Sequence, residues 1–201
     1  MIAPRPRPLA PLTLFTIGHS TRTLDEFVEL LRAAGVTLVV DVRRFPGSRR
    51  HPQFGAERLA SGLAEAGIAY RHEPALGGRR RPRPDSVNTF WRNDQFRGYA
   101  DHMASAEFAA ALAALRTAAE QPTAILCAEA YWRQCHRQLI ADAMEAAGWE
   151  VVHLLAGGAR ERHPRNPQLR VDADGKLTYP AAEPESVEQR SLPGMGTERQ
   201  S

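Results

Sequence analysis

Residues 13–42 read TLFTIGHSTRTLDEFVELLRAAGVTLVVDV, a strand pattern followed by a helix pattern and a second strand pattern. Apolar residues dominate 13–17 and 37–42, and the second run has the continuous hydrophobicity of a strand that is covered on both faces. Between them, Thr23 and Glu26 have the spacing of a helix-capping box, and apolar side chains at helical spacing continue to Gly35. The pattern predicts a βαβ unit with parallel strands.

The rest of the sequence continues this alternation with one interruption, the basic run at residues 76–85. Helix patterns occur at residues 56–66, around Leu112 and at 134–147, and strand patterns occur at 68–72, 123–127 and 150–155. Residues 168–179 have the pattern of a hairpin that turns at Asp174-Gly175. We therefore predict a single Rossmann-like α/β domain, with a mostly parallel sheet flanked by helices and a C-terminal β-hairpin.

The length of 201 residues fits one domain with a tail at each end. We place the domain at residues 12–180, which is long enough for a self-supporting core. Residues 1–11 are rich in proline and arginine, and we predict that they and residues 181–201 are disordered tails.

Composition excludes some classes of protein and leaves others open. No run approaches the roughly 18 apolar residues of a membrane span, and residues 1–8 are charged without the apolar segment of a secretory signal. We therefore expect a cytoplasmic location and no membrane partner. Lys176 is the only lysine, and the arginine excess fits either a coding bias or bidentate capture of phosphate or carboxylate. The net charge of +3 does not by itself indicate nucleic acid.

Polar residues follow three of the predicted strands. These groups are Gly18-His19-Ser20, Asp41-Val-Arg43 and Cys127-Ala-Glu129. Because ligands of parallel α/β sheets bind at the carboxyl ends of the strands, we expect the three groups to converge on one site if their strands are neighbours. The backbone N–H groups around Gly18 are candidates for holding an anion. Asp41 needs a cationic partner or an open site, since an unpaired buried carboxylate is costly.

The motif Cys135-His136-Arg137 opens the helix predicted at residues 134–147. In the first helical turn, free N–H groups and the neighbouring arginine would lower the pKa of the Cys135 thiol and favour a thiolate. Structural alternatives stay open: a small buried residue for Cys127, a core or capping residue for His136, and a purely structural pair for Asp41 and Arg43. For Arg137, which would oppose the helix dipole, we expect Glu129 as the main anionic partner.

These motifs resemble, in their order and spacing, the bacterial family known as domain of unknown function 488. The resemblance is carried by residues 16–27 (TIGHSTRTLDEF), 41–43 (DVR) with Pro46 and Ser48, 127–129 (CAE) and 135–137 (CHR), and it extends over about residues 13–155. Residues 130–134 (AYWRQ) depart from the acidic and proline-rich stretch of many members, so we assign no role to Trp132 or Arg133. The resemblance implies a Rossmann-like domain and a common site, but no reaction.

The candidate residues fall into two roles. As catalytic residues we predict Cys127, Glu129, Cys135 and His136. As ligand-binding residues we predict Gly18, His19, Ser20, Asp41, Arg43 and Arg137. No GxGxxG motif follows the first strand, so no dinucleotide or other cofactor is predicted.

Three hypotheses for function follow. The first is an enzyme for a small anionic or nucleotide-like ligand, with a cysteine as nucleophile or redox thiol and with His19, His136 or Glu129 moving protons. The second is a nucleic-acid-associated module that uses the arginine-rich run at residues 79–83. The third is a zinc-supported fold with Cys127, Cys135 and His136 as ligands and His19 or Asp41 as the fourth. The sequence decides neither whether the protein is an enzyme nor its oligomeric state.

Overall fold

A computed structural model describes residues 12–47 and 50–181. Its strands are β1 (Thr13–Gly18), β2 (Leu38–Asp41), β3 (Ala69–His72), β4 (Thr123–Cys127), β5 (Glu150–Leu154), β6 (Arg160–Arg162), β7 (Arg170–Val171) and β8 (Leu177–Thr178). Its helices are α1 (Leu24–Ala33), α2 (Ala56–Glu65), α3 (Asp94–His102), α4 (Ala106–Ala118) and α5 (Arg137–Ala146). The tails predicted at residues 1–11 and 181–201 lie outside the described residues, except for Ala181.

The strand order of the larger sheet places β4 at its centre. The order is β3-β2-β4-β1-β5-β6, in which the first five strands are parallel and β6 runs antiparallel to β5. A separate two-stranded sheet is formed by β7 and β8. The predicted α/β fold with a C-terminal hairpin is therefore confirmed. Because β1 and β2 both pair with β4, the carboxyl ends of these three strands lie side by side.

Helices cover both faces of this sheet. On one face α1 and α2 bury Phe27, Leu31, Leu59 and Leu63 in one apolar cluster, and on the other α4 and α5 bury Phe108, Leu115, Leu139 and Ile140 in a second. Successive residues of a strand point to opposite faces, so Val39 joins the first cluster and Val40 the second. This double coverage explains why the central strands are almost wholly apolar.

Several local predictions hold. Thr23 and Glu26 form the predicted capping box, in which each side chain bonds to the other residue's backbone N–H. The hairpin turns where expected, since Gly175 has a positive φ of 78° and Asp172 accepts hydrogen bonds from two backbone N–H groups of the turn. None of the described helices has the length and apolar character that crossing a membrane requires.

The predicted start of the helix at residue 134 was wrong. Residues Trp132–Gln134 form a short 3₁₀ turn, Cys135 is extended with φ −129° and ψ 146°, and α5 begins only at Arg137. The apolar periodicity extends backwards past the helix because Trp132 and Cys135 are buried without being helical. As a result, Cys135 does not lie in a helical first turn, and any activation of its thiol needs another cause. The sequence analysis also missed β6, a three-residue edge strand with two exposed arginines.

Candidate functional site

An open pocket of about 710 Å³ lies where β1, β2 and β4 end. Seven of the ten predicted site residues line it: His19, Ser20, Arg43, Cys127, Glu129, Cys135 and His136. The other three, Gly18, Asp41 and Arg137, are buried or packed behind its wall. The strand-end groups therefore converge as the topology requires, but not all of them face the ligand space.

The lining of the pocket is strongly cationic. Among its described residues Glu129 is the single carboxylate, against four arginines, which are Arg43, Arg44, Arg50 and Arg79. Sequence reasoning missed Arg44, Phe45 and His51, which also line the pocket. Their position directly after β2, or shortly beyond it, was the available signal, because loops at the carboxyl ends of strands build such sites.

Two thiols and an imidazole form the floor of the pocket. The Nδ1 atom of His136 lies 3.9 Å from the Sγ of Cys127 and 3.8 Å from the Sγ of Cys135. On its other side, Nε2 of His136 is 3.2 Å from the carbonyl oxygen of Val42, and it carries a proton there because a carbonyl oxygen only accepts. Nδ1 of His136 therefore faces both sulfur atoms. Gly78 permits this arrangement, because a Cβ there would lie 2.8 Å from Nδ1.

The two thiols have different electrostatic surroundings. Hydrogen bonding to Cys135, burial, and the negative charges of Cys135 and Glu129 raise the pKa of Cys127 well above its usual range. Burial also acts to raise the pKa of Cys135, but the hydrogen bond from Cys127 and the charges of His136 and Arg137 outweigh it and hold that pKa well below its usual range. Cys127 Sγ also lies 3.2 Å from Oε2 of Glu129, so this carboxylate and Cys135 are both acceptors for the one S–H of Cys127. The geometry thus favours a thiol at Cys127 and a thiolate at Cys135.

Arg137 supplies the charge beside Cys135. Its side chain is 1% exposed, and its Nε donates to Cys135 Sγ at 3.4 Å. Nη2 donates to the backbone carbonyl of Glu129 at 2.6 Å and Nη1 to Oγ1 of Thr16 at 3.3 Å. No carboxylate of the described residues is among its partners. The expectation that Glu129 is the anionic partner of Arg137 was therefore wrong, because only the backbone carbonyl of Glu129 contacts Arg137 and its carboxylate faces Cys127.

Gly18 makes this placement of Arg137 possible. A Cβ at Gly18 would lie 1.8 Å from the carbonyl oxygen of Glu129 and 2.9 Å from Nη2 of Arg137. Both distances are shorter than van der Waals contacts of a Cβ allow. Only glycine can therefore occupy this position next to the hydrogen bond between Arg137 and the carbonyl of Glu129. The backbone N–H groups of His19 and Ser20 donate to the carbonyls of Cys127 and Ala128, so they are not free to hold an anion as we expected.

Asp41 and Arg43 form a buried pair beneath the pocket. Oδ1 of Asp41 accepts from Nε of Arg43 at 2.8 Å, and Oδ2 accepts from Nη2 at 2.5 Å and from the hydroxyl of Tyr70 at 2.8 Å. Asp41 is fully buried and Arg43 is nearly so. The carboxylate is thereby committed to holding Arg43 in place, and it is Arg43 that reaches the pocket wall.

His19 presents a neutral imidazole to the pocket. Its ring stacks on Phe54 with centroids 4.3 Å apart, and its Nδ1 bonds to the carbonyl oxygen of Ser20 at 2.9 Å. Burial is the main cause that lowers the pKa of His19 to about 4, despite the opposing hydrogen bond to Ser20. At neutral pH the ring is uncharged, and Nε2 is available as a proton acceptor.

This shift predicts a dependence of stability on pH. The pKa of His19 is about 4 when folded and 6.5 ordinarily, so the unfolded chain takes up a proton first as the pH falls. Stability from the neutral ring is therefore complete above pH 6.5 and is lost as the pH falls towards 4. Urea titrations across this range give the free energy of unfolding at each pH, and its slope against pH gives the number of protons taken up on unfolding. We expect this number to be smaller in His19→Asn than in wild type by up to about one proton. Equal slopes would show that the folded ring titrates normally.

Three donor atoms at the pocket floor have a metal-like arrangement. The ligand atoms of Cys127, Cys135 and His136 all lie within 4.8 Å of one another. Of the expected fourth ligands, Asp41 is committed to Arg43 and Tyr70, and His19 does not join the group. A structural zinc site needs four protein ligands, so the described residues provide an incomplete set. The zinc hypothesis stays a prediction that metal analysis of the purified protein would test.

The arginine-rich run is fixed to the protein surface. Arg80 donates to the carbonyls of Ala75 and Gly77, and Arg83 pairs with Asp85 at 2.9 Å. Helix α3 packs against the run at Gly98, where a Cβ would lie 2.5 Å from the backbone of Arg80. Only Arg79 of this run lines the pocket. These pairings engage Arg80 and Arg83, two of the four arginines of the run, and the nucleic-acid hypothesis stays a prediction.

The chain matches the model of one known protein family. Residues 23–144 match the family described as Domain of unknown function DUF488. The chain belongs to the DUF488 family. The match includes Asp41, Arg43 and the motifs at residues 127–129 and 135–137, whereas Gly18, His19 and Ser20 precede it. No curated protein and no solved structure matches the chain significantly.

Proposed function

We propose that this DUF488 protein is an enzyme that binds a small anionic, nucleotide-like ligand and uses Cys135 as a thiolate nucleophile. The observation that carries the proposal is the contact of Arg137 with Cys135. A buried guanidinium donates to a buried sulfur at 3.4 Å and has no carboxylate partner among the described residues. A deprotonated Cys135 neutralises that charge, and the sulfur borders the open pocket.

The pocket lining supports the class of ligand. The four lining arginines outnumber the one carboxylate, so an anionic group is attracted to the pocket. Phe45 lies at the pocket with 65% of its surface exposed, next to the guanidinium of Arg44. An exposed aromatic ring beside arginines fits a planar group that carries phosphate or carboxylate, because aromatic rings stack on bases while arginine binds the anion.

The proposed reaction has two steps. First, Sγ of Cys135 bonds to an electrophilic atom of the ligand, and the bond to the leaving group breaks, with the electron pair and then a solvent proton going to the leaving group. Second, water attacks the same atom, Glu129 takes its proton, and the thiolate of Cys135 is released. The exposed carboxylate of Glu129 is suited to exchange that proton with solvent. The net result is hydrolysis.

Site-resolved alkylation tests the proposal. In buffer with EDTA, we expect iodoacetamide to modify Cys135 at about pH 6, where a free cysteine with a pKa of about 8.5 is mostly protonated. Cys127 should resist until well above neutral pH. Mass spectrometry would assign the sites, with Cys127→Ser and Cys135→Ser as matched controls. If neither cysteine reacts faster than free cysteine at about pH 6, the nucleophile assignment is wrong.

The same assay tests the ligand class. Inorganic phosphate or adenosine monophosphate should slow the alkylation of Cys135 by occupying the arginine-lined pocket, and the protection should weaken with added salt. Arg44→Ala should reduce the protection, whereas Arg81→Ala should not, because Arg81 is exposed outside the pocket. If neither anion slows the alkylation of Cys135 in wild type, the proposal of an anionic ligand is wrong.

A further inference from the structure

Behind the pocket lies a buried network of polar side chains that the proposed chemistry does not use. His153 is fully buried in β5, and its ring stacks on Trp132 with centroids 4.1 Å apart. Thr16 of β1 faces it from the neighbouring strand. We define the buried network as Thr16, His153, His163 and Asp142.

The hydrogen bonds of the network form one continuous path to Arg137. Oγ1 of Thr16 lies 2.7 Å from Nδ1 of His153, whose Nε2 lies 3.0 Å from Nδ1 of His163. Nε2 of His163 lies 2.8 Å from Oδ1 of Asp142. At the other end, Nη1 of Arg137 donates to Thr16 at 3.3 Å. The path therefore begins at a guanidinium and ends at a carboxylate.

With both imidazoles neutral, one arrangement of protons satisfies every bond of this path. Arg137 is always a donor, so Thr16 accepts from it and gives its own proton to Nδ1 of His153. His153 then donates from Nε2 to His163, and His163 donates from Nε2 to Asp142. Both imidazoles are neutral in this arrangement. Burial lowers the pKa of His153 to about 2, which agrees with a neutral ring.

The carboxylate end of the path is held independently. Oδ2 of Asp142 accepts from the hydroxyl of Tyr179 at 2.9 Å and from Nδ2 of Asn166 at 3.1 Å. These two bonds anchor Asp142 beyond the path, and its charge polarises each donor of the path in the same direction. Three side chains, neutral in this arrangement, separate the carboxylate of Asp142 from the guanidinium of Arg137, so the two charges are not in contact.

We infer that the buried network is a positioning device for Arg137, which holds the guanidinium through neutral hydrogen bonds and directs its Nε to Cys135. A carboxylate in direct contact with Arg137 would neutralise it, whereas the threonine hydroxyl orients it and leaves its charge for the sulfur. The network residues act through Arg137, and none of them lines the pocket. This inference depends on the proposed thiolate role of Cys135.

Among the described residues, few charged or titratable groups surround Cys135. Cys127 and His136 face its sulfur from the pocket floor, Arg137 faces it from α5, and Tyr99 and His153 lie further off. A change in the reactivity of Cys135 that follows a substitution at Thr16 must therefore act through Arg137 or His153.

The test compares two substitutions of Thr16. Thr16→Val keeps the shape of the side chain but removes the hydroxyl, and Thr16→Ser keeps the hydroxyl. We expect Thr16→Val to slow alkylation of Cys135 at about pH 6 by about tenfold and to move its pH profile upwards, since Arg137 loses a partner that orients it. Thr16→Ser should retain the wild-type profile. If wild type and both variants share a pH midpoint for alkylation of Cys135 that lies below that of free cysteine, the inference is wrong and the proposed function stands. If the midpoint of wild type equals that of free cysteine, the proposed function is wrong.

A second measurement needs no variant and does not depend on cysteine chemistry. Long-range ¹H–¹⁵N spectra of the histidine rings distinguish the two tautomers and the charged form. We expect His153 to be neutral with its proton on Nε2 throughout the neutral pH range. A charged His153, or a proton on its Nδ1, would reverse the bond to Thr16 and overturn the inference even if Thr16→Val fails to fold.

Discussion

Gly18→Ala is expected to destabilise the fold by about 3–5 kcal/mol, a large effect for a single methyl group. The added Cβ would lie 1.8 Å from the carbonyl oxygen of Glu129 and 2.9 Å from Nη2 of Arg137. The strand cannot yield easily, because Gly18 pairs with Cys127 in the ladder between β1 and β4. The guanidinium must then leave its carbonyl partner, and a buried charge loses a hydrogen bond. Urea unfolding of the purified variant measures the loss.

Gly47→Ala is the matched control for this prediction. No atom of the described residues, apart from the chain neighbours of Gly47, lies within 4 Å of a Cβ built there, and the φ of Gly47 is not in the left-handed region. We expect its free energy of unfolding to stay within about 0.5 kcal/mol of wild type. If Gly18→Ala is as stable as Gly47→Ala, the contact of Arg137 with the Glu129 carbonyl is not a fixed part of the fold.

The position of the candidate site could be predicted from sequence, because it follows from topology. Apolar runs marked the strands, and polar motifs followed three of them at residues 18–20, 41–43 and 127–129. Parallel strands bring such motifs to one edge of a sheet. Strand order was the missing information, and the structure supplies it by placing β4 between β1 and β2.

The roles of individual residues were harder to predict. Gly18 lies in a sequence that is typical of an anion-binding turn. In the structure, its missing side chain instead leaves room for the carbonyl of Glu129 and the guanidinium of Arg137. Arg137 lies off the apolar stripe of α5 and so has the pattern of a surface charge, although it is almost fully buried. A pattern of hydrophobicity records which residues are apolar, and it cannot show that a polar side chain is enclosed by other elements.

The buried network was invisible for a related reason. Thr16 and His153 are 137 residues apart, and they meet only because β1 and β5 pair in a specific register. His163 and Asp142 come from a loop and from α5, with no spacing that links them in sequence. Long-range polar contacts of this kind depend on register, which one sequence without structure does not fix.

The largest chemical effect is expected from the charge of Arg137. We expect Arg137→Met to raise the pH midpoint for alkylation of Cys135 by about two units, because the thiolate loses the cation that is hydrogen-bonded to it while it remains buried. Arg137→Lys keeps a positive charge on a side chain without the forked donors, so it should retain a midpoint closer to wild type. Both variants remove the guanidinium but only Arg137→Lys keeps the positive charge, so a difference between them reports the effect of that charge.

Stability should change differently from reactivity in these two variants. Each leaves the Glu129 carbonyl and Thr16 with fewer partners, so each should lose about 1–3 kcal/mol of unfolding free energy. The methionine also removes a buried charge that lacks a carboxylate partner, which offsets part of its loss. A variant with an unchanged alkylation midpoint and a large loss of stability would mean that Arg137 supports the fold and does not activate Cys135. A midpoint that rises in Arg137→Met but not in Arg137→Lys, with similar stability in both, would assign the activation of Cys135 to the charge itself.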